Sequence, residues 1–315
     1  MHSDIFGLLL IGRVLSGLST SLLSSVFDAW MCTEHGRLGF TAGQLASTYS
    51  LGSTLNAVMA VLGGLVSEHA AASSHLSTFG YYLNFGGPLA PFGVAILVLL
   101  LMILTVSVSW TENYSESTTG SSFDIPAILA RFGANRKLST LCLITSFFEA
   151  SMFVFVMIWA SHLEAVSGGN RLQYGNIFAS FMAACMIGSR VFTLFTRFSA
   201  TFPVILATCL ALLSHVSLMR GSQTVVQVYW ASVLFEFAVG IYYPAVGTLK
   251  SRLIADSERS TMSAVSGMPM NLIVVVILSL DLNRFQSYAC TTLMLSVCLM
   301  GAYSLTRYTG TEKVH

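Results

Sequence analysis

The apolar run at 138–160, LSTLCLITSFFEASMFVFVMIWA, constrains the fold more than any other stretch of the chain. Its only formally charged side chain is Glu149. As an α-helix rising about 1.5 Å per residue, the run spans about 35 Å, enough to cross the roughly 30 Å hydrocarbon core of a bilayer. Glu149 would then lie near the midplane, where an ionised carboxylate costs at least a few kcal/mol. The run predicts a membrane-spanning helix in which Glu149 has a functional role, because a helix that only anchors the chain would not need a charged residue there.

The composition extends this interpretation to all 315 residues. Hydrophobic residues make up 54% of the chain and charged residues 9%, and the mean hydropathy is +0.74. These values are typical of a polytopic membrane protein. Because backbone groups find no water in lipid, its spans should be helical. The apolar runs predict nine spans, at 5–30, 41–67, 92–110, 138–160, 174–195, 202–218, 228–248, 268–282 and 289–306.

Lysine and arginine residues indicate the orientation of these spans. Thirteen of them lie in loops and ends, and with a cytosolic C-terminus ten fall on the cytosolic side and three outside. This is the bias of the positive-inside rule. The polar, Ser/Thr-rich stretch 111–137 has the composition of a linker. We expect a partial N-terminal bundle over 1–110, a cytosolic linker over 111–137 and a six-helix bundle over 138–315.

An aromatic residue followed by an acid recurs in the first, fourth and seventh spans, as Phe27-Asp28, Phe148-Glu149 and Phe235-Glu236. Transporters built from three-helix repeats place equivalent helices around a site near the midplane. The recurrence predicts such a repeat. Asp28 lies near the cytosolic end of its span, so it is either a gating residue or a solvated residue at a helix end.

Three ionisable residues are candidates for substrate binding or coupling. Glu149 and Glu236 could exchange a proton during a transport cycle, or they could tie helices together through hydroxyl groups. Arg13 is the basic residue deep in the first span. A guanidinium stays charged, so Arg13 must pair with a carboxylate, with carbonyls or with a bound anion. Both interpretations of each residue are open at this stage.

Glycine, tyrosine and proline residues mark candidate gates. Gly240, Tyr243 and Pro244 begin about one turn after Glu236, and Pro269 lies at the start of the eighth span. Proline frees a backbone carbonyl and bends a helix, which suits a moving element, while a simple kink is the alternative. The stretch KSRLIADSER at 250–259 predicts a cytosolic loop with internal salt bridges.

Several classes of function lack support in the sequence. The net charge of +1 and the absence of a basic run give no reason to expect a nucleic-acid partner. The six cysteines are scattered without a paired spacing, so we expect neither a metal site nor a disulfide framework. HExxH, P-loop and nucleophile-elbow motifs are missing. We expect a protein that is not an enzyme and needs no cofactor.

Six stretches resemble one family of transporters. GRVLSGLSTSLLSSVFDAW at 12–30 resembles the fourth helix of the major facilitator superfamily, and the others resemble its molybdate-anion transporter branch. These are GPLAPF at 87–92, ENY at 112–114, FFEASMFVFV at 147–156, IFASFMAACMIGS at 177–189 and EFAVGIYYP at 236–244. The resemblance implies a twelve-helix fold of two six-helix bundles in the plasma membrane. Nine spans then correspond to a chain without the first three helices.

The resemblance implies that the chain moves molybdate into the cell by alternating access. A dianion should avoid ionised carboxylates because like charges repel strongly in a low-dielectric cavity. Protonation of the acids during binding, and hence proton symport, is the hypothesis that resolves this conflict. Two alternatives are a transporter of sugars or other organic solutes and a non-transporting membrane scaffold or sensor. The sequence leaves the oligomeric state open.

Overall fold

The computed structural model describes residues 5–40, 42–73, 77–79, 83–111, 130, 133, 135–195, 201–253 and 259–309. In this part of the chain the long elements are nine α-helices. They are α1 Phe6–Arg37, α2 Ala42–Ser73, α3 Ala90–Ser109, α4 Arg136–Val166, α5 Tyr174–Phe195, α6 Phe202–Leu218, α7 Val225–Leu253, α8 Arg259–Ser279 and α9 Arg284–Thr309.

Each helix overlaps one predicted span, so the prediction of an all-α membrane protein is confirmed. Among the described residues, five helical stretches are long and apolar enough to cross a bilayer: Gly87–Ser109, Arg136–Val166, Tyr174–Phe195, Val225–Lys250 and Arg284–Thr306. Four shorter apolar stretches lie in the other helices, at Phe6–Thr20, Val58–Ser73, Phe202–Leu218 and Gly267–Ser279.

A short antiparallel hairpin lies between α2 and α3, where the sequence predicts only a loop. Its strands are β1, Ser77–Phe79, and β2, Leu83–Phe85, with Thr78 opposite Asn84. A single 3-10 turn, Gly87–Leu89, leads from the hairpin into α3. Hydropathy could not predict the hairpin because strands of three residues are too short to show a periodic pattern.

The surface of α3 is apolar on every side over residues 90–104. None of its side chains is buried, and Leu97 and Val108 are 63% and 79% exposed. A soluble protein rarely exposes apolar residues over so wide a face. The helix is therefore built to lie against lipid.

The chain divides into two compact units. Unit 1 comprises Met1–Ser122 and Gln173–Ala179, and unit 2 comprises Phe123–Leu172 and Ser180–His315. In unit 1, the Trp30 and Trp110 rings stack with centroids 3.9 Å apart, which joins the end of α1 to the end of α3. The two bundles and the linker proposed from the sequence stay a prediction.

Within unit 1, α2 packs closely on the first residues of α5. A Cβ atom added to Gly175 would lie 2.3 Å from the Gly64 carbonyl oxygen, so the two backbones are in contact. One turn further along α2, the Glu68 carboxylate accepts a hydrogen bond of 2.9 Å from the Gly175 N–H. The first N–H groups of a helix have no partner within it, and Glu68 supplies one here.

In unit 2, aromatic rings fix how α4 packs on α7. The Phe148 and Tyr242 rings stack in parallel with centroids 3.7 Å apart, and those of Phe155 and Phe235 lie 4.6 Å apart. On α6, the ring of His215 contacts Phe235 edge-on at 4.5 Å. Phe148, Phe155 and Phe235 are fully buried, as are Tyr242 and His215. These rings form the core of unit 2.

Helices α5 and α7 cross with their backbones in contact. A Cβ atom on Gly188 would lie 2.2 Å from the Phe237 carbonyl oxygen, and one on Gly240 would lie 2.0 Å from the Cys185 carbonyl oxygen. Small residues permit such approaches between membrane helices. Gly240 is therefore a packing residue, whatever else it does.

We predict that Gly240→Ala destabilises unit 2, because the added methyl group would overlap backbone atoms that a side-chain rotation cannot clear. Overpacking of this kind costs about 1–3 kcal/mol. The measurement is the thermal unfolding midpoint of the purified chain in detergent. Gly247→Ala on the same helix is the matched control, since no described atom lies within 4 Å of its added methyl group. Equal midpoints for the two variants would contradict the close crossing.

Candidate functional site

The structure brings both predicted acids of α4 and α7 into one region of unit 2. Glu149 on α4 is partly buried, and Glu236 on α7 is 6% exposed. Tyr243 lies within electrostatic range of both carboxyls and of the Cys185 thiol. We call Glu149, Glu236, Tyr242, Tyr243 and Cys185 the acid cluster.

Glu149 has two polar neighbours on α7. The Tyr242 hydroxyl and the Lys250 ammonium both lie within electrostatic range of its carboxyl. The stack of Phe148 on Tyr242 brings the hydroxyl into this range, because Glu149 directly follows Phe148 in α4. The aromatic packing therefore sets the position of the acid.

Glu236 has a less polar environment. It follows the fully buried Phe235, and its polar neighbours among the described side chains are the Cys185 thiol and Tyr243. It takes part in no salt bridge within the described part of the chain, where the only such pair joins Arg37 to Glu34. A buried carboxylate without a cation is costly, so this position favours a neutral acid.

The candidate gates on α7 lie within or next to the acid cluster. The Tyr243 hydroxyl contacts the Met152 sulfur on α4 at 3.3 Å. Pro244 lies inside α7 and has no N–H to donate to the Gly240 carbonyl. The Thr248 hydroxyl donates to the Pro244 carbonyl at 2.8 Å. Pro269 lies inside α8 and is exposed.

Two candidates belong to unit 1. Arg13 lies on α1, where its side chain is exposed and forms no salt bridge with any described residue. Asp28 also lies in α1, and its side chain is outside the described part of the structure. The roles of both residues stay predictions.

Sequence reasoning missed Lys250 and gave Tyr242 no role. It placed Lys250 in a loop, whereas α7 continues to Leu253 and Lys250 is the last residue of its apolar stretch. For Tyr242 a signal was available, because it follows Phe235 by seven residues, about two helical turns, and so shares its face of α7. The described residues contain no group of His, Cys, Asp or Glu that could hold a metal ion.

Long apolar helices around an interior that carries acids define a multi-pass membrane protein with the architecture of a secondary transporter. A profile of the family described as sugar transporters with 12 transmembrane helices, one of the major facilitator families, matches residues 1–233. The match covers well over half of the chain. The chain belongs to this family, and the fold class predicted from the sequence is confirmed.

Several curated relatives that match carry the same name. The molybdate-anion transporter of Xenopus tropicalis is 28% identical over 328 aligned positions, which cover 97% of this chain and 68% of the relative. The zebrafish (Danio rerio) protein of the same name is 29% identical over 305 positions, covering 87% of this chain and 60% of the relative. The protein from Takifugu rubripes is 27% identical, with 84% and 59% covered.

We predict that the ring and the hydroxyl of Tyr242 have separable effects. Tyr242→Phe keeps the stack on Phe148 and should change the free energy of unfolding by no more than about 1 kcal/mol. Tyr242→Ala removes the ring and should cost about 3 kcal/mol or more. Thermal unfolding of both variants in detergent measures this difference. Similar losses for both would mean that the hydroxyl, rather than the stack, stabilises the contact of α4 with α7.

Proposed function

We propose that this chain is a secondary transporter that carries molybdate, a small oxyanion, into the cell by alternating access. The observation that carries the proposal is its similarity to molybdate-anion transporters along 97% of its length. The acid cluster supports it, since ionisable groups inside a membrane protein mark substrate and ion pathways. The chain spans about two thirds or less of these relatives, at 68%, 60% and 59% of their lengths.

Arg13 is the proposed anion contact of unit 1. Its guanidinium is permanently charged and presents donors in a fork that matches the oxygen atoms of an oxyanion. Glu149 and Glu236 are the proposed coupling acids. They are neutral while the dianion binds and release their protons afterwards, so that protons move with the substrate. Asp28, Gly240, Tyr243, Pro244 and Pro269 are the proposed gating residues.

The proposal includes a location and a set of partners. The chain is an integral multi-pass membrane protein, and we place it in the plasma membrane with its C-terminus in the cytosol. Its partners are the lipid bilayer and the anion, without a cofactor, a nucleic acid or an enzymatic step. The excess of lysine and arginine on the side of the C-terminus supports this orientation.

The test is the molybdenum content of transporter-deficient cells that express the full chain, compared with cells carrying an empty vector. Surface labelling verifies that the chain reaches the membrane. Accumulation above the vector control is the expected result. A correctly located chain without accumulation would contradict the proposal and favour a scaffold or sensor.

Transport of a sugar is the second candidate, because the matching family is described as sugar transporters. Neutral substrates would use Glu149 and Glu236 as ordinary hydrogen-bond acceptors. Competition separates the two candidates: an oxyanion site is inhibited by sulfate or tungstate and unaffected by sugars. Inhibition of molybdate uptake by sugars alone would favour the second candidate.

We predict that Glu149→Gln flattens the pH dependence of molybdate uptake. In the unchanged chain, uptake should rise as pH falls, because protonation of Glu149 removes a negative charge from the path of the dianion. The amide is neutral at every pH and removes the part of this dependence that Glu149 causes, which leaves only the smaller part due to Glu236. Initial rates of uptake between mildly acidic and mildly alkaline pH measure the effect.

Glu164→Gln is the matched control, since Glu164 is an exposed acid on the same helix. It should keep the pH profile of the unchanged chain. An unaltered profile in Glu149→Gln would remove Glu149 from the coupling step.

A further inference from the structure

Lys250 ends the apolar stretch of α7, and the register of α7 against α4 gives its level along the helix pair. Because Phe148 stacks on Tyr242 and Phe155 packs on Phe235, α4 and α7 run antiparallel with a fixed register. Lys250 follows Tyr242 by eight residues, about two turns, and so lies level with the first turns of α4, near Cys142. Side chains of a helix lean towards its N-terminus, which directs Lys250 back towards the acid cluster.

The electrostatic neighbours of Lys250 agree with this placement. Its ammonium acts on the Cys142 thiol and on the Glu149 carboxyl, which lie two turns apart on α4. The side chain is partly buried. A lysine cation therefore lies at the cytosolic side of the acid cluster, by the orientation proposed above.

Lys250 and Glu149 attract each other without forming a direct ion pair. Among the described residues the only salt bridge is that of Arg37 with Glu34, and the Lys250 ammonium donates no hydrogen bond to any of them. An ammonium group has three N–H donors and accepts nothing. The oxygen atoms of a tetrahedral anion are suitable partners for these donors.

We propose that Lys250 is the anion-binding residue of unit 2, and that Glu149 is its counterion in the empty transporter, displaced by the bound oxyanion. This inference rests on the proposed function and adds a residue to it. A permanent carboxylate beside the cation weakens binding of the anion because the two negative groups compete for one positive charge. Because Lys250 supplies a positive charge and Glu149 moves away from it, a dianion can bind close to the acid cluster.

Equilibrium binding of radiolabelled molybdate to the purified full chain in lipid nanodiscs, at one neutral pH, tests this proposal. Lys250→Gln should weaken binding about tenfold or more, as expected for loss of a hydrogen bond to a charged group. Lys250→Arg keeps the charge and should bind within about threefold of the unchanged chain. Lys137→Gln is the matched control, because Lys137 is a partly buried lysine in the first turn of α4, and it should bind as the unchanged chain does.

A double-mutant cycle tests the counterion role separately. Glu149→Gln alone should tighten binding, because it removes the competitor for Lys250. The same change in the Lys250→Gln background should have little effect, since there is no cation left to compete for. Gel filtration shows whether Lys250→Gln is folded. If it is not, the single variant Glu149→Gln still tests the counterion role.

The outcomes separate the two proposals. If the unchanged chain binds molybdate and Lys250→Gln, correctly folded, binds equally well, the role of Lys250 is wrong while the proposed function stands. Weaker binding in Glu149→Gln overturns the counterion role. If the unchanged chain binds neither molybdate nor tungstate nor sulfate, the proposed function and this inference both fail.

Discussion

The stack of Phe148 on Tyr242 is the contact on which the candidate site depends. It fixes the register of α4 against α7, and the residues beside these two rings are the ones that carry charge or polar chemistry. Glu149 follows the first ring in sequence, and Tyr243 follows the second. A shift of either helix by one residue would rotate its polar groups by about 100° around the helix axis and separate them. Phe148 and Tyr242 therefore determine both how α4 packs on α7 and where the polar groups of the acid cluster lie.

The core of unit 2 is closely packed. Aromatic rings on α4, α6 and α7 bury one another, and the glycines on α5 and α7 bring two backbones into contact. Tightly packed interiors change between discrete arrangements rather than deforming continuously. Glu149 and Glu236 lie on two of these packed helices, so a change in their protonation acts on packed helices and not on a loose cavity.

The sequence predicted most of the fold for a simple reason. A membrane-spanning helix is selected by length and apolarity, and both can be read without knowledge of any partner. Glu149 and Glu236 could also be identified from the sequence, because an acidic residue inside an apolar run is rare.

The position of Lys250 within α7 could not be predicted. A charged residue at the end of an apolar run gives the same sequence pattern whether the helix ends before it or continues past it. From the sequence, Gly240 was a candidate gate. The structure shows that it is the point where the backbones of α5 and α7 are in contact. The hairpin of Ser77–Phe79 with Leu83–Phe85 was too short for any periodicity to detect.

The helix α3 has a practical consequence for anyone who isolates the protein. None of its side chains is buried, and its apolar stretch has a mean hydropathy of 2.8. Protein contacts bury none of these side chains, so the surrounding solvent must cover most of the helix surface. A lipid bilayer does this through its thickness, whereas a short-chain detergent matches neither the length nor the apolarity of the helix. Native lipids or a lipid nanodisc are therefore the preparation in which unit 1 should stay intact.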